Sequence, residues 1–173
     1  MRKVLSLIFT VMLIFSIPTT ALAESTTLTI DVPEASYILN VPANQAIDYL
    51  AAEKNIGSIT VSDTSGFSAS KGITVSVTYD GQFATPKYAS AINYSLKCKG
   101  TGSETRYDLN SGACITFTGN ADGTLNNNPT LADGSPANEL IVVIDTACWD
   151  TALGGIYSTT ITFNADVYFD VGM

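Results

Sequence analysis

From Ile161 to Val171 the chain places Ile161, Phe163, Ala165, Val167, Phe169 and Val171 at alternate positions, with Thr162, Asn164, Asp166, Tyr168 and Asp170 between them. Side chains repeat every second residue on a β-strand and about every 3.6 on a helix, so this segment predicts a long strand with one apolar face. The same period recurs upstream. In "TTLTIDV", Leu28, Ile30 and Val32 alternate with Thr27, Thr29 and Asp31; in "ITVSVTY", Ile73, Val75, Val77 and Tyr79 alternate with Thr74, Ser76 and Thr78. Ile92, Tyr94 and Leu96 alternate with Ala91, Asn93 and Ser95, and "SYILNV" near 36–41, "IGSITVS" near 56–62 and "ACITFT" near 113–118 read the same way. "ELIVVID", near 139–145, is apolar on both faces, which suits a strand in the middle of a sheet.

Turn formers separate these runs. Asp80-Gly81 stands between a strand and Phe83 and predicts a hairpin, because Asp and Gly tolerate positive φ. Asp122-Gly123, Asn126 to Pro129 and Asp133 to Pro136 form a polar loop without periodicity. Only Asn44 to Asn55 has helical character, enough for one short turn. About eight short strands so spaced predict an all-β fold, an Ig-like antiparallel β-sandwich, in one domain over residues 24–173.

Residues 1–23 stand apart. Arg2 and Lys3 precede an apolar run from Val4 to Ile17, and Ala21 and Ala23 supply the small residues of a signal-peptidase site. The run is shorter than the ~20 residues needed to cross a bilayer. The expected product is secreted and extracellular, or held at a cell surface, with no membrane span after processing. Losing Arg2 and Lys3 leaves six basic side chains against 16 acidic ones, a net charge of −10. That surface repels phosphate backbones, which argues against nucleic acid as a partner.

An exported chain meets oxidising conditions, and three Cys leave at most one internal disulfide. Cys98 and Cys114 flank a turn-rich excursion and are the preferred pair, with Cys148 as a free thiol. Closing such a loop stabilises by about 3 kcal/mol in the chain-entropy model. Phase opposes the pairing: Cys98 shares parity with Ile92, Tyr94 and Leu96, whereas Cys114 is out of step with Ile115 and Phe117.

Just before the last strand, "CWDTALGGIY" holds the single Trp and a Gly pair. It reads as a packed corner built from Trp149, Gly155 and Tyr157. The Tyr157 hydroxyl is expected to fold back onto nearby backbone, Gly154 and Gly155 to allow close approach, and Trp149 to cover the open end of the core. A Trp in a short acidic loop, then Gly-x-Tyr, then an alternating Thr/Phe strand resembles the C-terminal region of secreted bacterial surface sandwiches. Fimbrial and adhesin-like subunits, spore-coat-U-like domains and WxL-type cell-wall proteins are similar here. The carriers are Trp149, Gly155, Tyr157, Thr160, Thr162 and Phe163. The chain departs from the WxL pattern, since Asp150 and Thr151 follow Trp149, which puts peptidoglycan binding by that route in doubt.

The chemistry of the side chains argues against an enzyme. There is no His, which removes Ser-His and Cys-His nucleophile activation and most zinc sites. Ser68 to Lys71 matches S-x-x-K, but it precedes a strand rather than opening a helix. Asp145 and Asp150 lie nearest an aromatic without a motif that would make them an acid/base pair, and the Asp122 loop lacks the terminal Glu of a calcium loop. No catalytic residue, metal or cofactor is expected. The predicted partners are other surface proteins, or a second copy, joined by sheet-edge pairing. The alternative is a glycan stacked on Trp149, Tyr88 or Tyr107.

Overall fold

The computed structural model describes residues 34–169. The expected leader, the run Thr26–Val32 and the end of the last expected strand at Asp170 and Val171 lie outside them. In chain order the strands are β1 (Ser36–Asn40), β2 (Glu53–Ser58), β3 (Thr60–Ser65), β4 (Lys71–Thr78), β5 (Gln82–Thr85), β6 (Tyr88–Lys99), β7 (Tyr107–Asp108), β8 (Ala113–Phe117), β9 (Glu139–Ile144) and β10 (Thr162–Phe169). Every named pairing is antiparallel. One sheet runs β2-β9-β6-β5 with β7 added to β6; a second runs β10-β4-β8; β1 and β3 form a separate pair.

The fold is therefore all-β, an antiparallel sandwich. Its interior is the meeting of the alternating rows. Ile73, Val75 and Val77 of β4 and Ile115 and Phe117 of β8 are fully buried, facing Leu96 and Cys98 of β6 and Leu140 and Val142 of β9 in one cluster. Each large apolar side chain so buried contributes about 1.5–3 kcal/mol. Strand β9 lies between β2 and β6, and its out-of-phase Ile141 is buried too, which accounts for its continuous apolar run.

Four expectations are corrected. The run near 56–62 is two strands: β2 pairs with β9, β3 pairs with β1, and the chain changes partners at Ile59, which is fully buried and donates its N–H to the Asn138 carbonyl. Gly57, at φ 118, makes the bulge that precedes the switch. Asp80-Gly81 likewise joins two sheets rather than a hairpin, since β5 pairs with β6 and not with β4. The helical turn near 44–55 is absent, because only Ile47 of that stretch packs on the core while Tyr49 and Leu50 face solvent. A helix needs a burying stripe to offset its nucleation cost. Among the described residues the one helix is a 3₁₀ turn, Thr146–Asp150, capped by Asp145.

The fourth correction concerns the cysteines. Cys98 and Cys114 form no disulfide, and all three thiols are free. Cys98 lies on β6 facing the core, whereas Cys114 lies on β8 of the other sheet and is exposed. The parity conflict between the two residues is thus a difference of layer and of direction.

Candidate interaction groove

Strand β10 ends its sheet. One edge pairs with β4 over all eight residues, from Thr162 opposite Thr78 to Phe169 opposite Lys71; among the described residues nothing forms a ladder on the other edge. The chain folds this way because Phe163, Ala165 and Val167 share a face with the core, yet all three are only half-buried. A residue's N–H and C=O point to the same side of a strand, and the side alternates from residue to residue. The Ala165 carbonyl accepts from the Tyr37 hydroxyl of β1 at 3.4 Å, and the Asn164 carbonyl from Ser76 of β4 at 3.4 Å. Phe163, Ala165 and Val167 therefore direct their backbone groups to the edge away from β4. The Tyr37 side chain reaches from β1 to β10.

At the start of β10, where Phe163 is the one residue of the strand that lines it, lies a groove of about 850 Å³. Pro42 to Ile47 form one wall, and Gly155 to Ile161 with Phe163 the other. The floor is the inner face of the larger sheet: Ile56 of β2, Val142 and Ile144 of β9, Ile92 of β6 and Phe83 of β5. The first wall is tied down where the Gln45 side-chain amide donates to the Ile56 carbonyl. Around the mouth stand exposed apolar side chains, with Ile156 at 87% and Tyr49 at 73% exposure. Isolated exposed apolar residues are ordinary, but apolar residues at the rim of a groove with an apolar floor make it a candidate interaction surface.

The expected corner forms the end of this groove. The Tyr157 hydroxyl donates to the Leu153 carbonyl at 3.0 Å and accepts from the Leu153 N–H at 3.1 Å, with Ser90 at 2.8 Å as its third partner. One hydrogen and two lone pairs are all engaged. The Trp149 indole N–H donates to the Ala51 carbonyl at 3.3 Å, and its ring meets Tyr49 edge-on at 5.3 Å. The glycines are not needed for close approach. A Cβ at Gly155 would make only ordinary contacts with Thr85 and Tyr88, and one at Gly154 would meet open space.

The nominated aromatics do not converge. Trp149 lines the groove; Tyr88 sits behind Gly155 with the Lys87 ammonium over its ring; Tyr107 lies on β7 opposite Cys98 and lines no part of it. Tyr49 and Ile156 were not legible as groove residues, since neither belongs to an alternating run. Cys148 lies in the 3₁₀ turn, its thiol 3.6 Å from the Asp145 carboxylate. Burial pushes the Cys98 thiol up to about 11, aided by the charges of Asp133 and Asp108.

Other candidates for chemistry resolve into turns. Lys71 donates its backbone N–H to the Ser68 carbonyl at 2.9 Å, and its ammonium lies over the Phe169 ring, so the S-x-x-K match forms a bend rather than a nucleophile–base pair. The Asp122 carboxyl accepts from the Thr124 hydroxyl and N–H, which hold it below its usual range. Among the described residues no three His, Cys, Asp or Glu side chains gather in a metal-binding group, and no helix is long and apolar enough to cross a membrane.

Comparison with protein-family models, with curated proteins and with solved structures finds no match. What the groove does has to be argued from its own chemistry.

Proposed function

We propose that this is a non-enzymatic subunit of a bacterial cell surface, structural or adhesin-like, which binds another protein by adding a strand to the outer edge of β10. The observation that carries this reading is the edge of β10 at Phe163 and Ala165, which no strand of the described residues pairs, beside a groove with an apolar floor. An extended peptide there gains ladder hydrogen bonds from Phe163, Ala165 and Val167, and seats alternate side chains against Ile56, Val142 and Ile144. An acyl chain would fill the apolar space but leave those backbone groups without partners. The leader-like N-terminus and the resemblance of the Trp149–Phe163 region to surface sandwiches support the setting. The test is Ala165→Pro, which removes an outward N–H while leaving the β4 ladder intact, since Pro is tolerated on edge strands. The envelope proteins retained by the wild-type chain should be lost with this variant. Equal retention by both would sink the reading.

A second reading has one observation in its favour: Tyr49 and Trp149 meet edge-to-face at the groove mouth, with Tyr49 largely exposed. Such a pair offers an aromatic face to a sugar ring. In that case a glycan screen would give binders that Trp149→Ala abolishes and Ala165→Pro leaves unchanged.

A further inference from the structure

The two walls of the groove are fastened unequally. Ser158 exchanges two backbone hydrogen bonds with Ala84 of β5, at 2.8 and 2.9 Å, and the Tyr157 hydroxyl is bonded to Leu153 and Ser90. That wall is fixed to the larger sheet. On the facing wall, among the described residues, the backbone from Pro42 to Leu50 makes a single hydrogen bond, accepted by the Asp48 carbonyl from the Ala51 N–H at 3.1 Å. Its other holds are the Gln45 amide on the Ile56 carbonyl, Ile47 packed on the core, and the Tyr49 ring against Trp149. Segments with so few backbone bonds and buried contacts open well below the free energy of global unfolding.

Strain marks the point where this wall can turn. The Asp48–Ala51 bond closes a turn with Leu50 in its third position at φ 65, a conformation that glycine adopts there without steric cost. Leu50 is exposed, so packing of its own side chain does not hold it in place. Immediately beyond it the chain is fixed. The Ala51 carbonyl accepts from the Trp149 indole, and the Ala52 carbonyl from the Ile144 N–H at 2.9 Å. Strain at Leu50 favours release, and the Tyr49–Trp149 contact opposes it. We infer that residues 42–50 form a lid, hinged at Leu50 and latched by Tyr49 on Trp149, whose release uncovers the floor of the groove. The inference concerns access to the site and rests on the reading that the groove takes a ligand.

Relaxation-dispersion NMR on the full chain tests it without any ligand, in the wild type, Leu50→Gly and Tyr49→Ala. In the wild type the Gln45, Ile47 and Tyr49 amides and the Trp149 indole N–H should report one two-state exchange on the microsecond-to-millisecond scale. The Tyr157 and Ser158 amides should show none. The minor population should fall about threefold in Leu50→Gly, which relieves the strain with the lid shut. It should rise about threefold in Tyr49→Ala, which removes the latch. Ile144→Cys on the floor gives a second readout, resolved from Cys98, Cys114 and Cys148 by peptide mapping. Combined with each variant, it should be labelled by a thiol reagent fastest with Tyr49→Ala and slowest with Leu50→Gly.

Flat dispersion from Gln45 to Tyr49 would mean a fixed wall and overturns the inference. Populations that move in the same direction in the two variants overturn it as well. So does exchange shared equally by Tyr157 and Ser158, which would be breathing of both walls together. Ala165→Pro should leave the exchange unchanged; if that variant also keeps its envelope partners, strand addition fails while the lid stands.

Discussion

At Gly119 a Cβ would run into the carbonyl oxygens of Ser68 and Lys71, and both of those are backbone atoms that cannot rotate away. The residue packs the loop after β8 against the bend that leads into β4, so Gly119→Ala has to displace both, or shift its own loop. Overpacking of this kind costs ~1–3 kcal/mol, and urea denaturation should show the loss as a lower midpoint with an unchanged slope. The cysteines give a second residue-level outcome. Cys114 is exposed, whereas Cys98 is fully buried with its thiol raised to about 11. A thiol reagent at neutral pH should label Cys114 in the folded protein and reach Cys98 only on unfolding. The sign of the pH effect follows. The unfolded chain ionises Cys98 near 9.0 and the folded one near 11, so its contribution to stability is intact below 9.0 and is lost as pH rises toward 11.

Among the elements, the turn before β10 carries the most specific bonding. Tyr157 holds the two ends of its own tight loop together through Leu153 and anchors them to Ser90 near the start of β6. Leu153 is exposed, so water can replace part of what Tyr157→Phe removes, and the expected cost is about 1 kcal/mol. Amide exchange should locate the effect: Leu153 should exchange faster while the Val75 and Ile115 amides keep their protection. The strands themselves were readable because period two survives wherever one face is covered, as along β4, β6 and β10. The partners of each strand were not. "IGSITVS" slips phase between Ile56 and Ile59 without saying that Ile59 passes from one pairing to another, and Asp80-Gly81 has hairpin chemistry but serves a crossing between layers. Turn chemistry specifies a change of direction and says little about which sheet receives the next strand. The groove was hidden for the same reason, since its walls come from Pro42–Ile47 and Gly155–Ile161, stretches with no pattern of their own.

For the whole molecule, charge and the groove oppose each other. A chain with a formal net charge of −8 repels its copies over a distance set by the ionic atmosphere, roughly 30 Å at 0.01 M salt and 10 Å at 0.1 M. Under the proposed strand addition, the floor of the groove and the β10 edge attract at contact. Self-association should therefore strengthen as salt rises from about 0.01 to 0.1 M, because screening removes the repulsion and leaves burial nearly untouched. Sedimentation at the two salt concentrations checks this, and association that weakens with salt would mean that ion pairs hold the contact.

The passage at Ile59 has a mechanical consequence. Because β2 runs straight into β3 through a fully buried residue, the edge of the larger sheet and the β1–β3 pair are stitched together there by a covalent link with no slack. Sliding of one past the other is blocked at that stitch. Relative movement of the two is confined there to a tilt pivoting near Ile59, as a door swings on its jamb.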